Sequence, residues 1–331
     1  QILRNSLMIL AGDVGGTKTV CALYDESGGE LRLVREATVP SQAHKSLEEI
    51  LSQFLHDHAS GKLLAGCFGV AGAVIDGKCH TTNLPWQLDE VELARAIGAP
   101  RAKLLNDLEA AAYGMLHLRD DELVPLNPHS SHRRKGNVAV IAAGTGLGEA
   151  MLYWDGEKHH PLASEGGHVD FAPQTDEEIA LYRWLRGKYG HVSYERILSG
   201  PGFYNVFSFL RETGKYAESR TFRDHIAAGG DPNIVITQLG IDGDDPLCSA
   251  AVDLFCSIYG SEAGNLALKC VAVGGVFVGG GIAPNLGAAV LIRGRFLNRF
   301  IEKGRFDSLM KSIEVNVALN PRAPLLCAVN L

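Results

Sequence analysis

No apolar run in this sequence approaches the roughly 20 residues that a bilayer-spanning helix needs. The opening stretch QILRNSLMIL has no long apolar core followed by a small-residue cleavage site, so a membrane anchor and a secretory leader are not expected. No CxxC pair occurs. The seven cysteines, Cys21, Cys67, Cys79, Cys248, Cys256, Cys270 and Cys327, are odd in number and sit mostly among Ala, Val, Leu and Gly. They read as buried free thiols in a reducing, cytoplasmic compartment, and they argue against a zinc ribbon. Positive charge is not in excess either. The net charge is −7, which makes nucleic acid and anionic membrane poor partners. The one basic cluster, Arg133, Arg134 and Lys135, lies beside His129, Ser130, Ser131 and His132 and reads as a solvated loop. There is no GxxxxGK[ST], which excludes a P-loop. No GxGxxG opens the chain, which disfavours a dinucleotide fold.

What is present is a pattern that occurs twice. An apolar run from Leu7 to Ala11 is followed by a tight turn at Gly15 and Gly16, a second strand from Thr19 to Tyr24, a turn over 25–29 and a third strand over 31–39. The same layout returns with a strand from Val138 to Ala142, glycines at 144, 146 and 148, a strand from Glu149 to Trp154, a turn at Asp155 and Gly156, and a short third strand. Two similar domains, each opening as strand, glycine turn, strand, explain this better than two unrelated hairpins. Helical and extended patterns alternate after each opening. Helices are expected at 46–59, 89–97, 108–116, 176–189, 202–213 and 246–271, and strands at 64–70, 103–106, 274–278 and 313–317. The helix over 246–271 is apolar on most faces and reads as buried. The class is α/β, with 331 residues forming two sheets and a cleft between two domains.

Glycine-rich turns after strands expose backbone N–H groups that can bind phosphate oxygens. Three occur in order: GDVGGTKT (Gly12, Asp13, Val14, Gly15, Gly16, Thr17 and onward), AGTGLG (with Gly144, Thr145 and Gly146) and VGGGI (with Gly279, Gly280 and Gly281). Thr17 and Thr145 can donate hydroxyl hydrogen bonds to phosphate. Asp13 repels phosphate, so its expected task is to hold Mg²⁺, directly or through water. In LLNDLEAA, Asn106 and Asp107 fall at the C-terminal end of a strand, where α/β sheets gather ligands. Asn106 can donate to and accept from a hydroxyl. Asp107 is either the cap of the following helix or an acceptor for the proton of an attacking hydroxyl, and the residues alone leave this open. The His159–His160 pair does not suggest a metal, since neighbours on a strand point to opposite faces, and both are expected in solvent.

Together GDVGGTK, FGVAGAV with TTNLPW, LLNDLEAAAYG, AGTGLG, EGGHVDFAP, GHVSYERILSGPG and GGVFVGGGIAP resemble the bacterial glucokinase family, in that family's order and over most of the chain. The wider likeness is to the superfamily of sugar kinases, actin and Hsp70. The sugar-kinase group that carries a cysteine-rich zinc motif is not matched, because no cysteine lies between Cys79 and Cys248. The resemblance implies two actin-like ATPase domains of ribonuclease-H-like fold, residues 1–112 joined by 318–331, and residues 113–317. It implies ATP and Mg²⁺ as cofactors, phosphoryl transfer to glucose, and domain closure on sugar binding. It makes Asp107 the catalytic base and assigns the sugar to Glu165, His168 and Glu195, with Asn106 and Asn83 in the same cleft. Carboxylates suit vicinal hydroxyls, because each accepts two hydrogen bonds. The adenosine end is expected near Gly279 to Gly281. Asp170 is a candidate for a supporting role, and Glu149 has no account.

The sequence departs from the family pattern in three places. Ala142 and Ala143 precede Gly144 where glycine is frequent, Lys18 follows GGT where asparagine is common, and NPRAPLLCAVNL lacks a glycine turn and a longer terminal helix. A homodimer is expected from the resemblance and from the apolar helix at 246–271. Three other readings stay in view: a kinase for another hexose, a non-catalytic sugar sensor, and an actin-like filament protein. The first glycine loop arrives at Gly12, which leaves no room before it for a DNA-binding helix pair. A filament protein has no need of NDLEAA, EGGH and ERILSG together.

Overall fold

The turn at Gly15 and Gly16 folds β1 (Leu7–Val14) back onto β2 (Lys18–Asp25) in antiparallel register, closed by the Gly15 N–H donating to Lys18 O at 3.0 Å. This is a computed structural model, and it describes residues 7–26, 32–56, 61–130, 134–162, 164–293 and 295–330. The chain divides into two units. Unit 1 holds residues 1–119 and 320–331, and unit 2 holds residues 120–319.

In unit 1, β3 (Arg32–Pro40) adds to β2, and α1 (Leu47–His56) follows. Leu47, Ile50, Leu51 and Phe54 form its buried stripe at helical spacing. Then come β4 (Lys62–Val70), a small sheet of β5 (Val74–Ile75), β6 (Lys78–His80) and β7 (Gln87–Asp89), α2 (Glu90–Ile97), β8 (Ala102–Asn106) and α3 (Asp107–Met115). Asp89 caps α2 at its start, and Gly98, in the left-handed region at φ 68°, ends it. The main sheet runs β3-β2-β1-β4-β8, with β1, β4 and β8 parallel. Alternation along β1 splits the core in two. Met8 and Leu10 face α1, α2 and Phe68, whereas Ile9 and Ala11 face Ala110 of α3 together with Leu325 and Cys327.

That second face is covered by a 3-10 segment, Ala323–Asn330. Although NPRAPLLCAVNL lacks the usual glycine turn and longer helix, it packs on α3. A Cβ on Gly114 would collide with Ala323 O. Arg322 pairs with Glu36 at 2.9 Å, and the buried Cys327 thiol donates to Cys67 Sγ at 2.8 Å. Cys67 and Cys327 are free thiols, as are the other five cysteines, and all but the half-buried Cys270 are buried.

Unit 2 repeats the layout. β9 (Leu123–Pro125) precedes β10 (Val138–Ala143), β11 (Leu147–Trp154) and β12 (His159–Leu162). The helices α4 (Asp176–Tyr189), α5 (Gly200–Glu212), α6 (Arg220–Ala227), α7 (Pro232–Asp242) and α8 (Pro246–Cys270) follow. The unit finishes with β13 (Gly275–Gly279), α9 (Ile282–Leu286), α10 (Ala288–Arg293), α11 (Phe296–Ile301), α12 (Asp307–Ser312) and β14 (Val315–Ala318). Its sheet runs β12-β11-β10-β13-β14-β9. The first five strands repeat the order and sense of unit 1, two antiparallel steps and then two parallel ones. This is the mixed α/β architecture with two actin-like sheets. Helix α8 runs through the core. Asp245 caps it, Pro246 stands in its first turn, and Leu247, Ala251, Phe255, Ile258, Tyr259 and Leu266 are buried around its circumference. Its apolar surface is used up within unit 2, which removes it as an argument for a homodimer interface.

Among the described residues, no helix is long and apolar enough to cross a membrane. Arg133, Ser131 and His132 of the basic cluster lie outside the described residues, while Arg134 and Lys135 are exposed. His159 and His160 are half-buried rather than solvated. The His159 ring packs on Trp154 at 4.7 Å, and His160 Nε2 meets Asp155 Oδ2 at 2.6 Å.

Candidate active site

Within unit 1, the parallel register sets three strand ends side by side. Val14 lies opposite Val70, and Val70 opposite Asn106. The turn after β1 and the start of α3 therefore open at the same sheet edge, which is where α/β sheets bind ligands. Gly69 makes the fit close: a Cβ there would stand 2.8 Å from Ala110 Cβ and 3.7 Å from Asp107 Cα.

The first glycine turn is braced from behind by Ser41, which has no exposed surface. Its Oγ donates to Gly15 O at 2.7 Å and lies 2.9 Å from Thr19 Oγ1, and its N–H donates to Thr17 O at 3.0 Å. Sequence reasoning missed Ser41, because nothing local marks a serine after a strand as the support of a turn more than twenty residues earlier. Thr17 is left exposed at the tip. Asn83 sits against the same turn, since a Cβ on Gly16 would come within 2.5 Å of Asn83 Cβ.

Asn106, not Asp107, caps α3. Asn106 Oδ1 accepts from the Leu108 N–H at 3.0 Å, and Glu109 Oε2 accepts from the Asn106 N–H at 2.9 Å, a reciprocal capping box. Asn106 Nδ2 donates to Gly72 O at 3.2 Å, which leaves its second N–H for a ligand. Asp107 occupies the first helical position with its carboxylate exposed, and one of its oxygens accepts from the Leu108 N–H at 2.8 Å. Burial first, and the Asp107 charge second, push the half-buried Asp13 carboxyl above its usual range, with Lys18 opposing. The two acids feel each other's charge.

Within unit 2, the second glycine turn is closed by the Gly144 N–H donating to Gly146 O at 2.8 Å. The start of α5 buttresses it: the Gly200 N–H donates to Gly144 O at 2.8 Å. ERILSGPG makes that possible. Ser199 caps α5 by accepting from the Gly202 N–H, and its own hydroxyl donates back to Glu195 O at 2.7 Å. Glu195 Oε2 in turn accepts from the Leu147 N–H at 2.9 Å, and a Cβ on Gly146 would crowd it at 2.6 Å. Thr145 is exposed at the tip. β10 and β13 are parallel, with Ala142 opposite Gly279, so Gly279, Gly280 and Gly281 emerge beside this turn.

Glu165, His168 and Glu195 come together. His168 Nε2 is 3.7 Å from Glu195 Oε1, and its Nδ1 is 4.0 Å from Glu165 Oε2. Glu165 and His168 are mostly exposed, and Glu195 is one-third exposed. The Gly166–Gly167 pair lets their turn lie flat on β11, since a Cβ on Gly167 would collide with Leu147 O, and one on Gly166 with Glu149 Oε2. Glu149, without an account from sequence, is thus buried directly behind the turn. Asp170 points elsewhere: its exposed carboxylate bonds His191 Nε2 at 2.8 Å. Unit 1 thus gathers a braced glycine turn and two acids, and unit 2 a second glycine turn beside a carboxylate–imidazole–carboxylate cluster. The chemistry that suits them is binding of phosphates and vicinal hydroxyls.

Comparison with known proteins identifies the family. The family model described as Glucokinase matches residues 10–331. A glucokinase of Synechocystis sp. is 37% identical over 347 residues, covering 96% of each chain. The solved glucokinase of an Antarctic psychrotroph superposes with a TM-score of 0.85 at 30% identity, covering 97% of each chain. A ROK family glucokinase from Streptomyces griseus, solved with glucose and AMPPNP, shares the fold at a TM-score of 0.62 and 20% identity, covering 98% of each chain.

Proposed function

The chain belongs to the glucokinase family, and from that premise we propose that it transfers the γ-phosphoryl group of ATP to the 6-hydroxyl of glucose with Asp107 as the base. The observation that carries the assignment is the register of β1, β4 and β8, which brings the Asp13 turn and Asp107 to one sheet edge. With Asn106 acting as the helix cap, Asp107 is left with an exposed carboxylate. It accepts the proton as the sugar oxygen attacks the phosphorus.

Gly12 to Thr17 of unit 1, and Gly144, Thr145 and Gly146 of unit 2, supply backbone N–H and hydroxyl donors for the phosphates. Gly279 to Gly281 leave room for the adenosine end. Glu165, His168 and Glu195 hold the sugar hydroxyls, helped by Asn106 and Asn83. The Streptomyces griseus relative, solved with glucose and AMPPNP, supports this pairing of ligands.

Asp13 suits Mg²⁺. Burial first, and the charge of Asp107 second, raise its carboxyl, and a bound cation favours the ionised form. No group of three or more metal-ligating side chains occurs among the described residues, and Mg²⁺ typically relies on one or two carboxylates, water and substrate phosphates. When bound, it would neutralise charge on the phosphates.

The decisive experiment is Asp107→Ala in a coupled assay, with glucose affinity measured separately by calorimetry. Turnover should fall by about 10²- to 10⁴-fold, with glucose affinity much less changed. Near-normal turnover removes Asp107 from the base role. A panel of glucose, mannose, fructose and N-acetylglucosamine should show activity confined mainly to glucose. A homodimer would have to use surfaces other than α8.

A further inference from the structure

Behind the Gly166–Gly167 turn lies a buried polar cluster that phosphoryl transfer, as derived above, does not use. Glu149 of β11 is 1% exposed, and Glu262 of α8 is 0% exposed. Glu262 is well provided with donors: Asn265 Nδ2 reaches its Oε2 at 2.9 Å and Lys269 Nζ its Oε1 at 3.2 Å. Asn265 Nδ2 also donates to the Tyr194 hydroxyl at 3.2 Å, beside the turn that carries Glu195. Glu149 is not so provided. Its Oε2 is pressed against Gly166, and its buried Oε1 meets no donor.

Two ionised carboxylates have only lone pairs to offer each other. A single proton held between them supplies the missing donor, turns the contact into a hydrogen bond and leaves one negative charge for Lys269. We propose that Glu149 and Glu262 share one proton, and that Glu149 is thereby a positioning residue that holds the Gly166–Gly167 turn, and with it Glu165 and His168, in place for the sugar. The proposal rests on the reading of Glu165, His168 and Glu195 as the glucose site.

The groups facing the pair can be named. From α8 come Lys269 and the buried Tyr259 hydroxyl, and from the turn before α5 comes the Tyr194 hydroxyl. Beyond Glu262, Lys303 Nζ bonds Ser261 O at 3.0 Å. β10 offers only Ile141 opposite Glu149. Burial first, and the charge of Glu262 second, push the Glu149 carboxyl up to about 8, with Lys269 opposing. Loss of the proton leaves two negative charges on buried carboxylates, with Lys269 bonded to Glu262 alone. The turn resting on Glu149 is the element free to move away.

The test is the pH dependence of glucose binding in wild type, Glu149→Gln and Glu262→Gln, the last kept in case Glu149→Gln does not fold. If only the protonated pair holds the turn, the competent fraction falls about tenfold between pH 7 and 9, and the glucose KM rises about tenfold with a much smaller change in kcat. In Glu149→Gln an amide N–H replaces the shared proton. Its KM should match wild type at pH 7 and stay within about twofold to pH 9. Carbon-13 NMR of the wild-type protein with labelled glutamate carboxyls, recorded without glucose, should show one carboxyl titrating far above the others. The proposal is overturned if every glutamate titrates in the ordinary acid range, or if both Gln variants keep the alkaline rise in KM. Glu165→Gln separates the two readings. If it leaves glucose affinity unchanged, the sugar-site assignment fails, while the carboxyl titration still reports on the proton.

Discussion

Ser41→Ala is the sharpest test of how unit 1 holds its phosphate turn. The serine has one hydroxyl proton, and that proton goes to Gly15 O at 2.7 Å. The 2.9 Å contact with Thr19 must therefore run from the Thr19 hydroxyl to Ser41 Oγ. Alanine keeps the backbone bond to Thr17 O but strands Gly15 O and the Thr19 hydroxyl. Thr19, like Ser41, has no exposed surface. Leaving such groups unsatisfied costs about 1–3 kcal/mol, a drop of roughly 3–10 °C in melting temperature for a unit of this size. The loosened turn should raise the KM for ATP and leave that for glucose nearly unchanged. Denaturant titration with initial-rate kinetics reads each quantity. A double-mutant cycle adds a sign to the argument. Thr19→Val with Ser41→Ala removes donor and acceptor together, so the pair should cost less than the sum of the singles by about 0.5 kcal/mol or more. Strict additivity, or a Ser41→Ala protein as stable as wild type with an unchanged KM for ATP, would refute the bracing role.

Three further outcomes are expected. Gly167→Ala drives a Cβ into Leu147 O, so it should destabilise by about 1–3 kcal/mol and raise the glucose KM; an unchanged melting temperature and KM would show that the turn has slack. Asp13→Asn should melt above wild type at neutral pH yet lose Mg²⁺-dependent turnover. The Asp13 carboxyl titrates higher in the fold than in the unfolded chain, so its contribution is present in acid and lost as pH rises through the folded value; the variant's advantage should shrink toward acid pH, and a variant melting below wild type at neutral pH refutes the assignment. Gly114→Ala should displace the segment from Ala323, seen as faster hydrogen exchange over 320–331 and around Cys67; protection equal to wild type would count against that packing.

Much of this was legible from the chain, for identifiable reasons. The two sheet openings could be read because apolar runs, paired glycines and β-branched residues are local signals, and β1, β2, β10 and β11 begin and end within a few residues of where those signals fall. The capping box was spelled out in Asn106 and Glu109, and reading it would have freed Asp107 from the cap role at once. Helices α6 and α7 were not foreseen. PNIVITQLGID is rich in β-branched residues that favour strands, and packing against α8 decides its state. Ser41 and Glu149 were illegible for a shared reason. Their partners, Gly15 and Thr19 for one, and Gly166 and Glu262 for the other, are adjacent only after the sheets have formed.

The return of residues 320–331 to unit 1 bears on how the protein is born. A ribosome finishes β1 to α3 early, yet one face of that sheet lacks Leu325 and Cys327 until residues 320–331 emerge. At roughly 5–20 residues per second, the wait from residue 119 to residue 331 is about 10–40 s. For that interval the cluster of Ile9, Ala11 and Ala110 lacks Leu325 and Cys327 on the nascent chain, an apolar gap of the kind that chaperones cover, while unit 2 folds as an insert between the two parts of unit 1.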